Sequence, residues 1–184
     1  MGNVCRDQGK FTKALEYHNK SLEIKKNILG EISEGVATSY NNIANVYCDL
    51  DETEKGLEYY NKSLKIRLDV LDDNHPDVAA CYNNLAILYE DEGDVDKALD
   101  YYNKLLTMQF DTLGETHMDV SETYNNMAVL YTNDDQLDKA LEYYQKSLTI
   151  VMKIFGGGNP EVAREYNNMG VVYKKKGELD KALD

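Results

Sequence analysis

The chain has 184 residues and a formal net charge of −13, which works against a nucleic-acid ligand, because binding phosphates needs clustered Lys and Arg to displace counterions. The same acidity disfavours an electrostatic hold on an anionic membrane surface. No apolar run approaches the roughly 20 residues that cross a bilayer and no signal peptide opens the chain, so a soluble, cytoplasmic protein is expected.

The sequence is periodic. Tyr40-Asn41-Asn42-Ile43-Ala44-Asn45-Val46-Tyr47 returns from Tyr82, Tyr124 and Tyr166, each copy 42 residues after the last with no insertion, which is the signature of a repeat array. Within a copy, Tyr82, Leu85, Ala86 and Tyr89 fall at i, i+3, i+4 and i+7, one stripe of an amphipathic helix. Val95, Ala98, Leu99, Tyr102, Leu106, Phe110 and Leu113 then continue with helical spacing, so each unit reads as two helices.

From the N-terminus, Met1-Gly2-Asn3-Val4-Cys5 lies in the register of Ile43 to Tyr47 and is expected to be the tail of a first helix. Met1-Gly2 does not read as a lipidation site, since Arg6 stands where myristoylation takes Ser or Thr. A second helix is expected from Phe11 to Leu29. The turn before each second helix carries Gly9, Asp51, Gly93, Asp135 or Gly177, residues that tolerate left-handed backbone. Helix pairs follow over Glu34 to Leu71, Pro76 to Leu113 and Met118 to Phe155, then a first helix from Pro160 to Lys176. Gly30, Gly114 and Gly156 suit helix C-caps, and Pro76 and Pro160 suit helix starts. The expected organisation is one array: partial repeats at 1–33 and 160–184 around full repeats at 34–75, 76–117 and 118–159. No polar capping helix is evident at either end, so the chain reads as a piece of a longer array.

Tyr124, Met127, Ala128, Tyr131, Ala140 and Tyr144 match the tetratricopeptide pattern of aromatic, aliphatic, small and aromatic positions followed by Ala and a further aromatic. The chain therefore resembles the tetratricopeptide repeat family over nearly its whole length. It departs by using Tyr where Trp is commonest and by a period of 42 rather than about 34, a variant similar to kinesin light chain repeats. The resemblance implies an all-α solenoid of helix-turn-helix repeats, a right-handed superhelix whose first helices line a concave, peptide-binding groove.

The chemistry-bearing residues give no enzyme. No Ser/His/Asp or Cys/His set and no acid/base pair stands out from a solvated helix surface. His75 and His117 share a loop position without further ligands at metal spacing, and capping is the expected role. Asp91, Asp94 and Asp96 around Gly93 lack the distal Glu of a calcium loop, and Gly156-Gly157-Gly158 lacks the Lys-Ser/Thr of a phosphate loop. No cofactor or metal is expected. Cys5, Cys48 and Cys81 read as reduced, packed thiols. The tyrosines of the repeated motif are expected in the core.

The asparagine pairs ask for an explanation, because Asn inside a helix costs about 0.6 kcal/mol relative to Ala and all four first helices carry two. On a helical wheel the first of each pair, Asn41, Asn83, Asn125 and Asn167, flanks the buried stripe and suits pairing between helices. The second, Asn42, Asn84, Asn126 and Asn168, points outward and forms an exposed ladder. Beside it the outward position is Asn45, then Ile87, Val129 and Val171, an apolar stripe of the kind that marks interaction surfaces. Asp49, Glu90, Asp91 and Glu122 make the middle of this face acidic, whereas Arg164, Lys174, Lys175 and Lys176 make its far end basic.

These features point to a non-enzymatic adaptor that holds an extended peptide or a partner helix. Two alternatives remain beside it: a structural array stacking head to tail through its uncapped ends, and the regulatory arm of a larger multidomain protein.

Overall fold

The computed structural model describes residues 1–183. Every regular element among them is helical: α1 (Gly2–Asp7), α2 (Phe11–Leu29), α3 (Glu34–Asp49), α4 (Thr53–Val70), α5 (Pro76–Asp91), α6 (Val95–Leu113), α7 (Met118–Asn133), α8 (Leu137–Phe155), α9 (Pro160–Lys176) and α10 (Leu179–Leu183). By packing, the chain forms two compact units, Met1–Tyr101 and Tyr102–Asp184. The boundary falls inside α6.

Local chemistry sets the helix ends. All five expected turn residues are left-handed, with φ of 70° at Gly9, 56° at Asp51, 76° at Gly93, 61° at Asp135 and 79° at Gly177. Aspartate occupies this region more readily than most residues with a Cβ, which is why it alternates with glycine there. The loop histidines are N-caps: His75 Nδ1 accepts from Asp77 N at 3.1 Å and His117 Nδ1 from Asp119 N at 3.2 Å. Asn159 Oδ1 does the same for Glu161 N at 2.9 Å. Each satisfies a backbone donor that the first turn leaves without an intrahelical partner.

First helices pack against second helices, α3 between α2 and α4 and α9 between α8 and α10. In the N-terminal unit, Val36 and Ala37 of α3 meet Ile66 of α4, with Leu22 of α2 and Tyr40 packed against them. In the C-terminal unit, Leu148 and Val151 of α8 meet Val162 of α9, joined by Met118 and Met169. Small residues allow the close approach, since Ala14, Ala98 and Ala140 are all fully buried. The aromatic four residues on is buried as well, at 6% exposure for Tyr60, 0% for Tyr102 and 4% for Tyr144, each ring contributing about 1.5–3 kcal/mol.

The first-helix tyrosines lie less deep than expected. Tyr40, Tyr47, Tyr82, Tyr89 and Tyr124 are half-buried and Tyr166 is 55% exposed; among the repeated pairs only Tyr131 is buried. They sit at the edge of the packed layer, where Tyr47 and Tyr89 stack on a second-helix tyrosine and Tyr40, Tyr82, Tyr124 and Tyr131 meet one at a tilt. Ring centroids are 5.5 Å apart for Tyr47 and Tyr59, 5.7 Å for Tyr89 and Tyr101 and 5.2 Å for Tyr131 and Tyr143. Lysines cover the rings from outside, with Lys62 Nζ 4.7 Å from the Tyr59 centroid and Lys146 Nζ 4.3 Å from that of Tyr143, a favourable cation–π arrangement. The three cysteines are free thiols, and burial raises the Cys48 thiol above its ordinary pKa, which keeps it protonated.

Candidate functional site

The expected apolar stripe is on the surface: Ile87 is 41%, Val129 39% and Val171 56% exposed. Asp91 on α5, Glu122 on α7, and Arg164, Asn167, Lys174 and Lys175 on α9 are also exposed. These side chains share a face with the asparagine pairs of their own unit.

The asparagines sit deeper than a single-helix wheel suggests. The second of each pair, Asn42, Asn84, Asn126 and Asn168, is half-buried, as are Asn41, Asn83 and Asn125. Adjacent first helices are stitched through them: Asn84 Nδ2 donates to Asn41 Oδ1 at 3.5 Å, and Asn168 Nδ2 donates to Asn125 Oδ1 at 3.2 Å. The second Asn of one repeat thus spends its donor on the first Asn of the repeat before. Its Oδ1 is left without a partner among the described residues in both Asn84 and Asn168. Asn45 is not simply outward, since it is half-buried and accepts from Tyr60 Oη at 2.5 Å.

The charges also differ from expectation. Asp49 is held by Arg6, with Nε–Oδ2 2.5 Å and Nη2–Oδ1 3.0 Å. Lys175 Nζ donates to Thr132 O at 2.6 Å and pairs with Asp135 at 3.2 Å. Lys176 bridges Asp138 and Glu178 at 2.6 and 2.9 Å, and those bonds raise its pKa. Two of the three lysines expected to make one end basic therefore pair with acids of the α7–α8 turn and the start of α8, and Arg164 pairs with Glu161 at 2.7 Å, leaving Lys174 as the exposed cation of that face with no ion pair among the described residues.

One residue here escaped the sequence reading. Glu165 on α9 is fully buried. Its Oε1 accepts from Asn125 Nδ2 at 2.5 Å and lies 3.4 Å from Arg164 Nη2, while Oε2 is buried without a partner among the described residues. Asn125 Nδ2 also lies 3.4 Å from Ser147 Oγ, which is 2.8 Å from Ser121 Oγ. Burial raises the Glu165 pKa, opposed by Arg164, Ser147 and Asn125. The signal was available one repeat at a time: the same register position holds Ser39, Cys81 and Thr123, all buried. Those three meet a long polar side chain from the preceding second helix, at 3.0 Å for Lys25 and Ser39, 3.0 Å for Arg67 and Cys81 and 2.9 Å for Gln109 and Thr123. The corresponding residue opposite Glu165 is Val151, fully buried, so the carboxylate turns to Asn125 instead.

Among the described residues, no cluster of His, Cys, Asp and Glu could hold a metal ion, and no helix is long and apolar enough to cross a membrane.

Known proteins agree on the architecture. The crystal structure of BtubC (BKLC) from P. vanneervenii is 26% identical and superposes with a TM-score of 0.85 over 98% of this chain and 72% of its own. A Podosopora anserina putative kinesin light chain with nearly identical TPR-like repeats is 19% identical, with a TM-score of 0.85 over 99% of this chain and 86% of its own. The Rap conjugation gene regulator of plasmid pLS20, solved in complex with the Phr* peptide, is 18% identical, with a TM-score of 0.69 over 99% of this chain and 48% of its own. Among curated proteins, none matches the sequence. The sequence model of the tetratricopeptide repeat matches residues 1–52, 35–109 and 119–184. Sequence match, helix-pair architecture and repeat register coincide, and the chain belongs to the tetratricopeptide repeat family.

Proposed function

We propose that the chain is a non-enzymatic protein-interaction scaffold, a single repeat array that receives an extended peptide or a partner helix on the face formed by its first helices. The observation that carries this reading is the exposure of Ile87, Val129 and Val171 beside half-buried asparagines with unspent carboxamide groups. Apolar side chains left in water next to polar groups able to pair with a backbone suit a peptide ligand. A solved regulator of the same fold holds a peptide, and repeats of this family generally mediate protein–protein contact. The carboxamides pair with peptide backbone irrespective of sequence, and side-chain choice falls to Ile87, Val129 and Val171 for apolar residues, Asp91 and Glu122 for cations, and Lys174 for acids.

The test is peptide-display selection on the purified chain, followed by Asn84→Ala/Asn126→Ala. The double variant weakens every selected peptide by about 1–3 kcal/mol, at about 0.5–1.5 kcal/mol per neutral hydrogen bond. A folded double variant that binds with unchanged affinity refutes the proposed role of the asparagines.

A second reading, head-to-tail self-association, rests on apolar surface near both ends. Tyr17, Ile24 and Ile28 on α2 are 41%, 58% and 74% exposed, and Tyr166 on α9 is 55% exposed. Heterologous contacts of this kind propagate as open chains. Light scattering at rising concentration decides it, and a strict monomer at millimolar concentration sinks it.

A further inference from the structure

We infer that buried Glu165 fixes the polarity of the carboxamides on α7 and α9, so that the peptide face there shows an acceptor and selects ligand segments that donate N–H groups. This rests on the peptide-binding reading above and adds to it a direction and the residue that sets it.

A carboxylate only accepts, so Asn125 must turn Nδ2 towards Glu165 Oε1, 2.5 Å away, and the same nitrogen lies 3.4 Å from Ser147 Oγ. Both hydrogens of the Asn125 amide are thereby committed to the interior. Its Oδ1 faces Asn168, 3.2 Å away, and can only accept. Asn168 must therefore give its Nδ2, and the group it has left for a ligand is Oδ1, which has no partner among the described residues. Burying this carboxyl is costly unless it is used, and here it orients two side chains in sequence.

The N-terminal unit lacks this lock. The residue related to Asn41 as Glu165 is to Asn125 is Cys81, which receives Arg67 Nη1 at 3.0 Å and exerts no comparable demand on an amide. The Asn84–Asn41 contact is correspondingly longer, at 3.5 Å. Glu165 is thus a positioning residue for Asn168, and polarity is enforced on α7 and α9 but only permitted on α3 and α5. An acceptor at Asn168 suits the backbone N–H of an extended peptide, and the exposed Glu122 on α7 favours donors of positive charge beside it.

The experiment takes a peptide selected on the native chain and scans its backbone with ester substitutions, each replacing one N–H donor by oxygen and keeping the side chain. Native protein should lose about threefold to tenfold in affinity at one position. In Glu165→Gln, whose amide can donate as well as accept, that loss should shrink below twofold. Glu165→Thr, which installs the residue found at Thr123, serves as the second variant and should behave alike. Side-chain amide exchange by NMR reads the lock without ligand: the Asn125 protons should exchange at least tenfold more slowly than those of Asn41, and the difference should vanish in Glu165→Gln. Tight binding with no ester-sensitive position, or equal exchange at Asn125 and Asn41, overturns the lock while the scaffold reading stands. Failure of any peptide to bind folded protein removes the scaffold reading, and slow exchange at Asn125 would then mark the lock as internal only, overturning its role in selection.

Discussion

Gly56 gives the sharpest test of how closely the helices approach. It stands where other repeats place Ala14, Ala98 and Ala140, all fully buried, and replacing a helix-interior glycine by alanine ordinarily gains about 0.5–1 kcal/mol. At Gly56 a Cβ would lie 2.9 Å from Cys48 Sγ and 3.1 Å from Leu88 Cδ2. Overpacking of this kind costs about 1–3 kcal/mol, so Gly56→Ala should be neutral to destabilising by up to about 2 kcal/mol. Most of the overlap is with the Cys48 sulfur, and Cys48→Ala removes that atom. In the Cys48→Ala background, the Gly56→Ala change should turn stabilising, by about 0.5 kcal/mol or more, a favourable coupling of roughly 1–2 kcal/mol between the sites. Urea denaturation followed by far-UV circular dichroism measures all four proteins, compared by midpoint where the slopes agree. If Gly56→Ala alone stabilises by the full helix-propensity gain and the two changes are additive, the close approach of α3, α4 and α5 has been misjudged.

Other expectations follow from the site. Val129→Asp should leave overall affinity for some peptides intact while replacing apolar residues by cationic ones in the selected sequences; an unchanged selection profile would count against the apolar stripe. Glu165 is held above its ordinary pKa by burial, so the folded chain keeps its proton more tightly than the unfolded chain, and stability falls as pH rises from the unfolded value near 4.5 through the raised folded one. Glu165→Gln should therefore stabilise at pH 7, by about 1–2 kcal/mol for a buried carboxylate with one oxygen unpartnered, and the gain should shrink on acidification towards pH 4. A pH-independent difference in midpoint would refute this. Tyr60→Phe should cost about 1 kcal/mol, since the hydroxyl donates to half-buried Asn45 and its loss strands that acceptor; a neutral result would show that water replaces it.

Much of the helical framework was legible because the repeat prints it five times over. The left-handed turns at Asp51 and Asp135 could be read from their alternation with glycine, and α2, Phe11–Leu29, has the bounds that its apolar spacing implied. The asparagine depth was not legible. A helical wheel assumes one buried arc, but α3 is covered by both α2 and α4, which widens the arc until the second Asn is half inside it. The lysines at the end of α9 were misjudged for a related reason: which turn they reach depends on how neighbouring repeats align, and composition carries no such information. Glu165 was hidden by its chemistry, since a glutamate in a helix reads as surface unless it is compared with Ser39, Cys81 and Thr123 one period apart.

Beside the Asn125–Glu165 bond, four contacts between successive first helices join residues one position further apart than the period. Arg6 meets Asp49, Asn41 meets Asn84, Asn125 meets Asn168 and Thr132 meets Lys175, each pair separated by 43 residues. Every such bond is therefore assembled from two different columns of the repeat, so a duplicated unit brings one half of a junction and needs its neighbour to supply the other. An Asn-Asn dipeptide solves this by self-complementarity, because any copy can follow any other and still find a mate. That makes the chain extensible by whole cassettes. A copy of residues 34–75 spliced in register should be accepted at either junction, whereas a cassette bearing Glu in the place of Glu165 would demand an asparagine ahead of it and a small hydroxyl below.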